Sequence, residues 1–173
     1  MDPLTLVVLV VVLLVALKAS ASTTSDAAPD VSMLSSFDGG VMAIADNTTP
    51  GIDALARAIA QAEGFGVAGA IPTRAHNPGD LVIPGWVGPT LGPERISVFD
   101  SDSEGWVRLR HQLSLIDSGK SKVYARSMTI QEMANAWTST ERSAWASNVA
   151  SALQNQGYGI DENSTLADVF DDI

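Results

Sequence analysis

The sequence contains no cysteine, which excludes disulfides, thiolate zinc sites and a cysteine nucleophile. Histidine occurs only at His76 and His111, too little to build a histidine-based metal site, and neither a metal nor a cofactor is expected. Basic side chains are scarce as well, with 10 Lys+Arg against 20 Asp+Glu and a formal net charge of −10. A phosphate-binding surface would have to form against that field, so nucleic acid is not an expected partner. The 173 residues suit one compact domain with an appendage rather than two large domains.

What the chain does have begins with one long apolar run. From Leu4 to Leu17 the only polar residue is Thr5, and Lys18 closes the segment. Hydrophobic all round, it is expected to enter a membrane, and its 14 residues suit a signal-peptide core better than a span of ~20 residues. Ala19, Ser20 and Ala21 form a small-x-small pattern of the kind signal peptidase cleaves, whereas the Met-Asp-Pro start lacks Lys and Arg. Residues 1–21 therefore read as a signal peptide or a retained anchor, and both readings stay open. Residues 22–50 shift to Ser, Thr, Ala, Asp and Gly and read as a flexible linker. Residues 51–173 form the folded domain, in which nine basic side chains stand against fifteen acidic ones.

Within that domain the spacing predicts four or five helices. Thr49 and Pro50 open the first as cap and N1 proline, Ile52, Leu55, Ala56, Ile59 and Ala60 give its apolar stripe, and Gly64 ends it. Ser101 and Glu104 are a capping box for a second helix with Trp106, Leu109, Leu113 and Ile116 inward. Thr129 and Glu132 open a third, with Ile130, Met133, Ala134 and Trp137. Thr140 is the expected cap of a fourth, carrying Trp145, Val149 and Leu153 up to about Gly157. A short helix is expected over about Leu166–Phe170. The Gly- and Pro-rich connection from Phe65 to Ser97 reads as a long loop or small β-ribbon set into a mainly α domain, and long ordered loops are commonly functional.

One residue breaks the apolar pattern. Continuing the stripe from Ile52 by eleven positions arrives at Glu63, just before the terminating glycine. Burial of that face would disfavour the carboxylate and hold the group protonated near neutral pH, as a general acid requires. A glutamate that reaches past the helix end to solvent is the other reading.

The string AIAQAEGFG, then Asn77-Pro78-Gly79-Asp80-Leu81, then Phe99, Ser101, Gly105 and Trp106, then the Thr129-Ile130 helix with Trp137, resembles the lysozyme-like domains of phage and bacterial murein-degrading proteins. The similarity covers roughly residues 52–153. It implies a lysozyme-like fold, peptidoglycan glycan strands as substrate, and Glu63, in the Glu-Gly pair, as catalytic acid. It also implies a saccharide cleft lined by the segment containing Arg74, His76, Asn77, Pro78, Gly79 and Asp80. The sequence departs from the family pattern at His76 and Asp80, both frequently Asn, and lacks the Glu-Ser pair and Gly-Leu-Met-Gln string of the main soluble lytic transglycosylases. Ser101 joins the candidate contacts, as does Trp86 within Pro84-Gly85-Trp86-Val87-Gly88, whose ring can stack on a sugar face.

The implied reaction is cleavage of the β-1,4 bond between N-acetylmuramic acid and N-acetylglucosamine. A hydrolytic lysozyme would employ Glu63 with Asp80 as second carboxylate, whereas a lytic transglycosylase needs Glu63 alone because the muramic acid 6-hydroxyl attacks within the sugar. The single-glutamate route is the expectation. An inactive saccharide-binding or structural virion protein is the alternative from another class. Bland readings stand beside several residues: Pro78-Gly79 as a plain turn, His76 as a loop residue, His111 as an exposed helix position, and Trp106, Trp137 and Trp145 as core. The acidic balance would repel the domain from an anionic wall, and the N-terminal segment compensates by tethering it at the envelope, as a bacterial or virion-borne enzyme.

Overall fold

The computed structural model describes residues 48–173, so the expected leader and nearly all of the linker lie outside the described residues. The described part is mainly helical, as expected. Its elements are α1 (Pro50–Glu63), α2 (Ile71–Arg74), β1 (Thr90–Leu91), β2 (Ile96–Ser97), α3 (Asp102–Asp117), α4 (Ile130–Trp137), α5 (Arg142–Asn155) and α6 (Leu166–Asp171).

Helix α1 is the central element. Thr49 Oγ1 accepts the Ile52 N–H and Pro50 occupies the first turn, a start worth about 1 kcal/mol relative to an uncapped one. Alanines at 54, 56, 58 and 60 alternate with Ile52, Leu55 and Ile59, and all are buried. Small side chains let neighbouring helices approach on several sides, while the larger ones supply roughly 1.5–3 kcal/mol each on burial. α5 and α3 cover much of α1, and α6 packs near its N-terminus. A methyl group on Gly51 would lie 2.3 Å from the Val169 carbonyl oxygen, so that contact requires glycine.

The remaining helices close the core. Leu109, Leu113 and Ile116 of α3, Ile130 and Met133 of α4, and Val149 and Leu153 of α5 are fully buried. α4 begins with a complete capping box between Thr129 and Glu132, and α6 with one between Thr165 and Asp168. Backbone hydrogen bonds from Ile130 to the Ser164 carbonyl and from Leu166 to the Met128 carbonyl stitch these two starts together.

Three local expectations need correction. The Ser101–Glu104 box is only half formed: Ser101 Oγ caps the Glu104 N–H, but the Glu104 carboxylate accepts from the Asp100 N–H instead of from Ser101. Thr140 does not cap α5. The cap is Glu141 in a left-handed conformation, φ 50°, with no side-chain bond, because Thr138 Oγ1 already donates to the Thr140 carbonyl and turns the chain one residue later. The loop after α1 also holds the one-turn helix α2, not expected from the Gly/Pro content, which Pro72 opens. The small ribbon is present as the antiparallel pair β1–β2, Thr90 opposite Ser97 and Leu91 opposite Ile96.

Candidate active site

Glu63 is the last residue of α1. Gly64 follows at φ 79°, ψ 28°, a left-handed position that suits glycine, and its N–H caps the Ala60 and Gln61 carbonyls. The chain turns away there and leaves the half-buried Glu63 side chain at the rim of the core. Two indoles meet it. Trp137, the last residue of α4, and Trp145, in the first turn of α5, both donate Nε1–H to Glu63 Oε1, at 3.1 Å and 2.8 Å. Their ring centroids are 6.0 Å apart, and the Tyr124 ring lies 5.6 Å from that of Trp137, tilted by 48°. Burial in this aromatic cluster pushes the Tyr124 hydroxyl up from its ordinary range.

Asp80 reaches the same carboxyl from the loop. The Asp80 N–H bonds the Asn77 carbonyl, closing a turn with Pro78 and Gly79 at its centre, and Asp80 itself is left-handed at φ 47°. Aspartate and asparagine tolerate that conformation better than other non-glycine residues. Asn77, fully buried, fixes the turn: its Nδ2 donates to the Leu81 and Ser97 carbonyls at 2.9 Å and 2.8 Å, and its Oδ1 accepts the Leu81 N–H. Ser97 Oγ accepts the Ile83 N–H, and the Phe99 N–H bonds the Ala75 carbonyl, so the loop is sewn to β2. On its other side it rests on α3, where only a glycine at 105 leaves space for the His76 carbonyl.

The Asp80 carboxyl lies within hydrogen-bonding reach of Glu63 and its proton affinity is pushed up to about 7. Burial is the main cause, followed by the Glu63 charge and hydrogen bond and then by the Glu94 charge. Asp80 Oδ1 is buried and accepts no N–H or O–H hydrogen bond among the described residues. The raised proton affinity is that of Asp80, with Glu63 as its charged neighbour. A group that gives up its proton near neutral pH is matched to acid–base work, and Asp80 is such a group beside Glu63.

The other sequence-derived candidates fall in different places. Arg74 is exposed at the end of α2. His76, left-handed at φ 51°, places Nδ1 2.6 Å from Asp102 Oδ1 and so ties the loop to the first turn of α3. Gly79 is buried, and a methyl group there would meet Leu109 Cδ1 at 2.7 Å. Three expected sugar contacts are committed to the protein itself. Asn77 spends its amide on backbone, Ser101 caps α3, and Trp86 bonds the Pro89 carbonyl and packs edge-on against Phe99. His111 is exposed, as expected. Trp137 and Trp145, expected as core, do pack there, but sequence reasoning missed that their N–H groups converge on Glu63. The signal was available in principle, because a buried indole N–H must find an acceptor and the core stripe offers one carboxylate.

No group of three or more metal-ligating side chains suited to an ion occurs among the described residues. An open groove of about 600 Å³ lined by Asp53, Arg57, Gln61, Gln156 and Tyr158 lies on another face of α1, away from the carboxyl pair. Its charges are internally paired, with Asp53 bonded to both Arg57 and Arg110. No protein-family model, curated protein or solved structure matches the chain.

Proposed function

We propose that this is a lysozyme-like domain that cleaves the β-1,4 bond between N-acetylmuramic acid and N-acetylglucosamine as a lytic transglycosylase, with Glu63 as acid and then base. The observation that carries the reading is the Glu63 carboxyl at the end of α1, held by two indole N–H groups and faced by the buried Asp80. The resemblance of residues 52–153 to murein-degrading domains supports the substrate class.

In this mechanism Glu63 gives its proton to the glycosidic oxygen as the bond from C1 to that oxygen breaks. The Glu63 carboxylate then faces the developing oxocarbenium charge, which favours the transition state electrostatically. The muramic acid 6-hydroxyl attacks C1 and returns its proton to Glu63, so a 1,6-anhydro product forms and no water is consumed. Hydrolases with two working carboxylates hold them ~5–5.5 Å or ~6.5–9.5 Å apart, which leaves room for the sugar or water between them. Asp80 is a buried neighbour of Glu63 that holds its proton up to about neutral pH, and so does not offer the ionised second carboxylate such an enzyme uses. Its role in this reading is to stand beside Glu63 as a protonated neighbour up to about neutral pH. The apolar N-terminal segment would tether the domain beside its polymer, in a bacterial envelope or on a virus particle.

The test is mass spectrometry of soluble products released from purified peptidoglycan by the full chain and by Glu63→Gln. Anhydromuropeptides from the wild type alone are expected. Reducing, hydrated muropeptides would replace this mechanism with hydrolysis, and unchanged wall binding with no release by either protein would favour a structural role.

A further inference from the structure

Both indole donors at the site act on the same oxygen, and this asymmetry says where the transferable proton resides. Indole N–H is a donor only, so Trp137 and Trp145 can bond Glu63 Oε1 only while that oxygen offers lone pairs. Two N–H groups at 3.1 Å and 2.8 Å engage both of them. Protonating Oε1 would turn an acceptor into a donor and leave an indole N–H without a partner. For Trp145, which is 6% exposed, that loss would fall in the core, where an unpaired donor is costly.

We propose that Trp145 and Trp137 are positioning residues that hold Glu63 Oε1 as the unprotonated oxygen, so that any proton Glu63 takes up or gives away passes through Oε2. The inference rests on the glycosidase reading for its catalytic meaning but not for its geometry. With Oε1 pinned at two points, the carboxyl plane is fixed before substrate arrives and no rotation is needed to present the proton. The two donors also favour the ionised form that appears once the proton leaves, which offsets the like charge of Asp80. The titratable groups facing this arrangement are Asp80 from the loop, Glu94 from the ribbon turn and Tyr124 against Trp137.

Two measurements on the full chain in detergent test it. The first follows the four indole N–H resonances of the 15N-labelled protein against pH, assigned with Trp86→Phe, Trp106→Phe, Trp137→Phe and Trp145→Phe. The Trp137 and Trp145 resonances are expected to move together through one midpoint, and both movements to vanish in Glu63→Gln. Resonances that stay still, or move at unrelated midpoints, overturn the proposal. The second measures anhydro-product formation by Trp145→Phe and Trp137→Phe. Each is expected to lower kcat about tenfold with little change in KM, the loss of one hydrogen bond to a charged group. In each, the alkaline limb of the pH profile shifts upward, because a carboxylate with fewer donors keeps its proton longer. A lower kcat with an unmoved limb would make the indoles ordinary core and overturn the proposal. If the wild type releases nothing while the two resonances titrate with Glu63, the glycosidase reading fails and the role of the indoles in holding Oε1 unprotonated stands.

Discussion

The first turn of α3 passes the His76 backbone so closely that a methyl group on Gly105 would lie 1.9 Å from the His76 carbonyl oxygen and 2.7 Å from Pro78 Cδ. The loop that delivers Asp80 is therefore seated on a glycine. Gly105→Ala is expected to destabilise the domain by about 1–3 kcal/mol, the usual range for overpacking, and to weaken activity by displacing Asp80 from Glu63. Gly159→Ala, where nothing lies within 4 Å of the added carbon, is the control and should change urea midpoints little.

Glu63→Gln should abolish turnover while preserving the fold. The new amide oxygen can take the place of Oε1 as acceptor for both indoles, and its NH2 group can donate to the Asp80 carboxylate. Circular dichroism and thermal unfolding should be near wild type, while product release falls at least ~100-fold, the general-acid contribution. An unfolded variant would show that the Glu63 carboxyl holds the loop in place.

Asp80→Asn separates stability from catalysis. The folded protein raises the Asp80 proton affinity from 3.8 to about 7. The native state thus binds more protons than the unfolded state between those values, and wild-type stability falls as pH rises through them. Below pH ~4 the variant should match the wild type, and by pH 8 it should be the more stable by on the order of 2–4 kcal/mol. Urea unfolding at pH 4, 6 and 8 checks the sign. Under the single-acid mechanism the variant keeps activity near pH 5, and its alkaline limb moves to lower pH because Glu63 no longer faces a second charge.

Asn77→Asp probes the loop from beneath. Aspartate cannot donate to the Leu81 and Ser97 carbonyls, and it would bury a charge against both oxygens. A loss of about 2–4 kcal/mol is expected, with a larger loss of activity than of helix content. Thermal unfolding followed by far-UV circular dichroism, alongside product release, measures both.

Much of the fold was legible because helices announce themselves locally. The Thr49–Pro50 start, the Gly64 stop, the Thr129–Glu132 box and the burial of Leu109, Leu113, Val149 and Leu153 each follow from residues within a few turns of one another. Glu63 was legible for the same reason, as a carboxylate on an apolar stripe. The local rules failed where a tertiary contact outbid them. Glu104 turned to Asp100 rather than to Ser101, and the chain entered α5 through a left-handed Glu141. Asn77 looked like a ligand group because its side chain can both donate and accept, and the loop used that same capacity on its own backbone. The indole pair was invisible locally, since nothing near Trp137 or Trp145 in sequence indicates that α1 ends opposite them.

Those indoles lie 74 and 82 positions beyond Glu63 in the chain. A polypeptide still emerging from the ribosome, or threading through a membrane, has its acid long before it has the groups that orient it. The setting of Glu63 is in this sense finished last. Its assembly depends on α4 and α5 docking against α1, so the environment of this carboxylate arrives with the native state as a whole and vanishes with it.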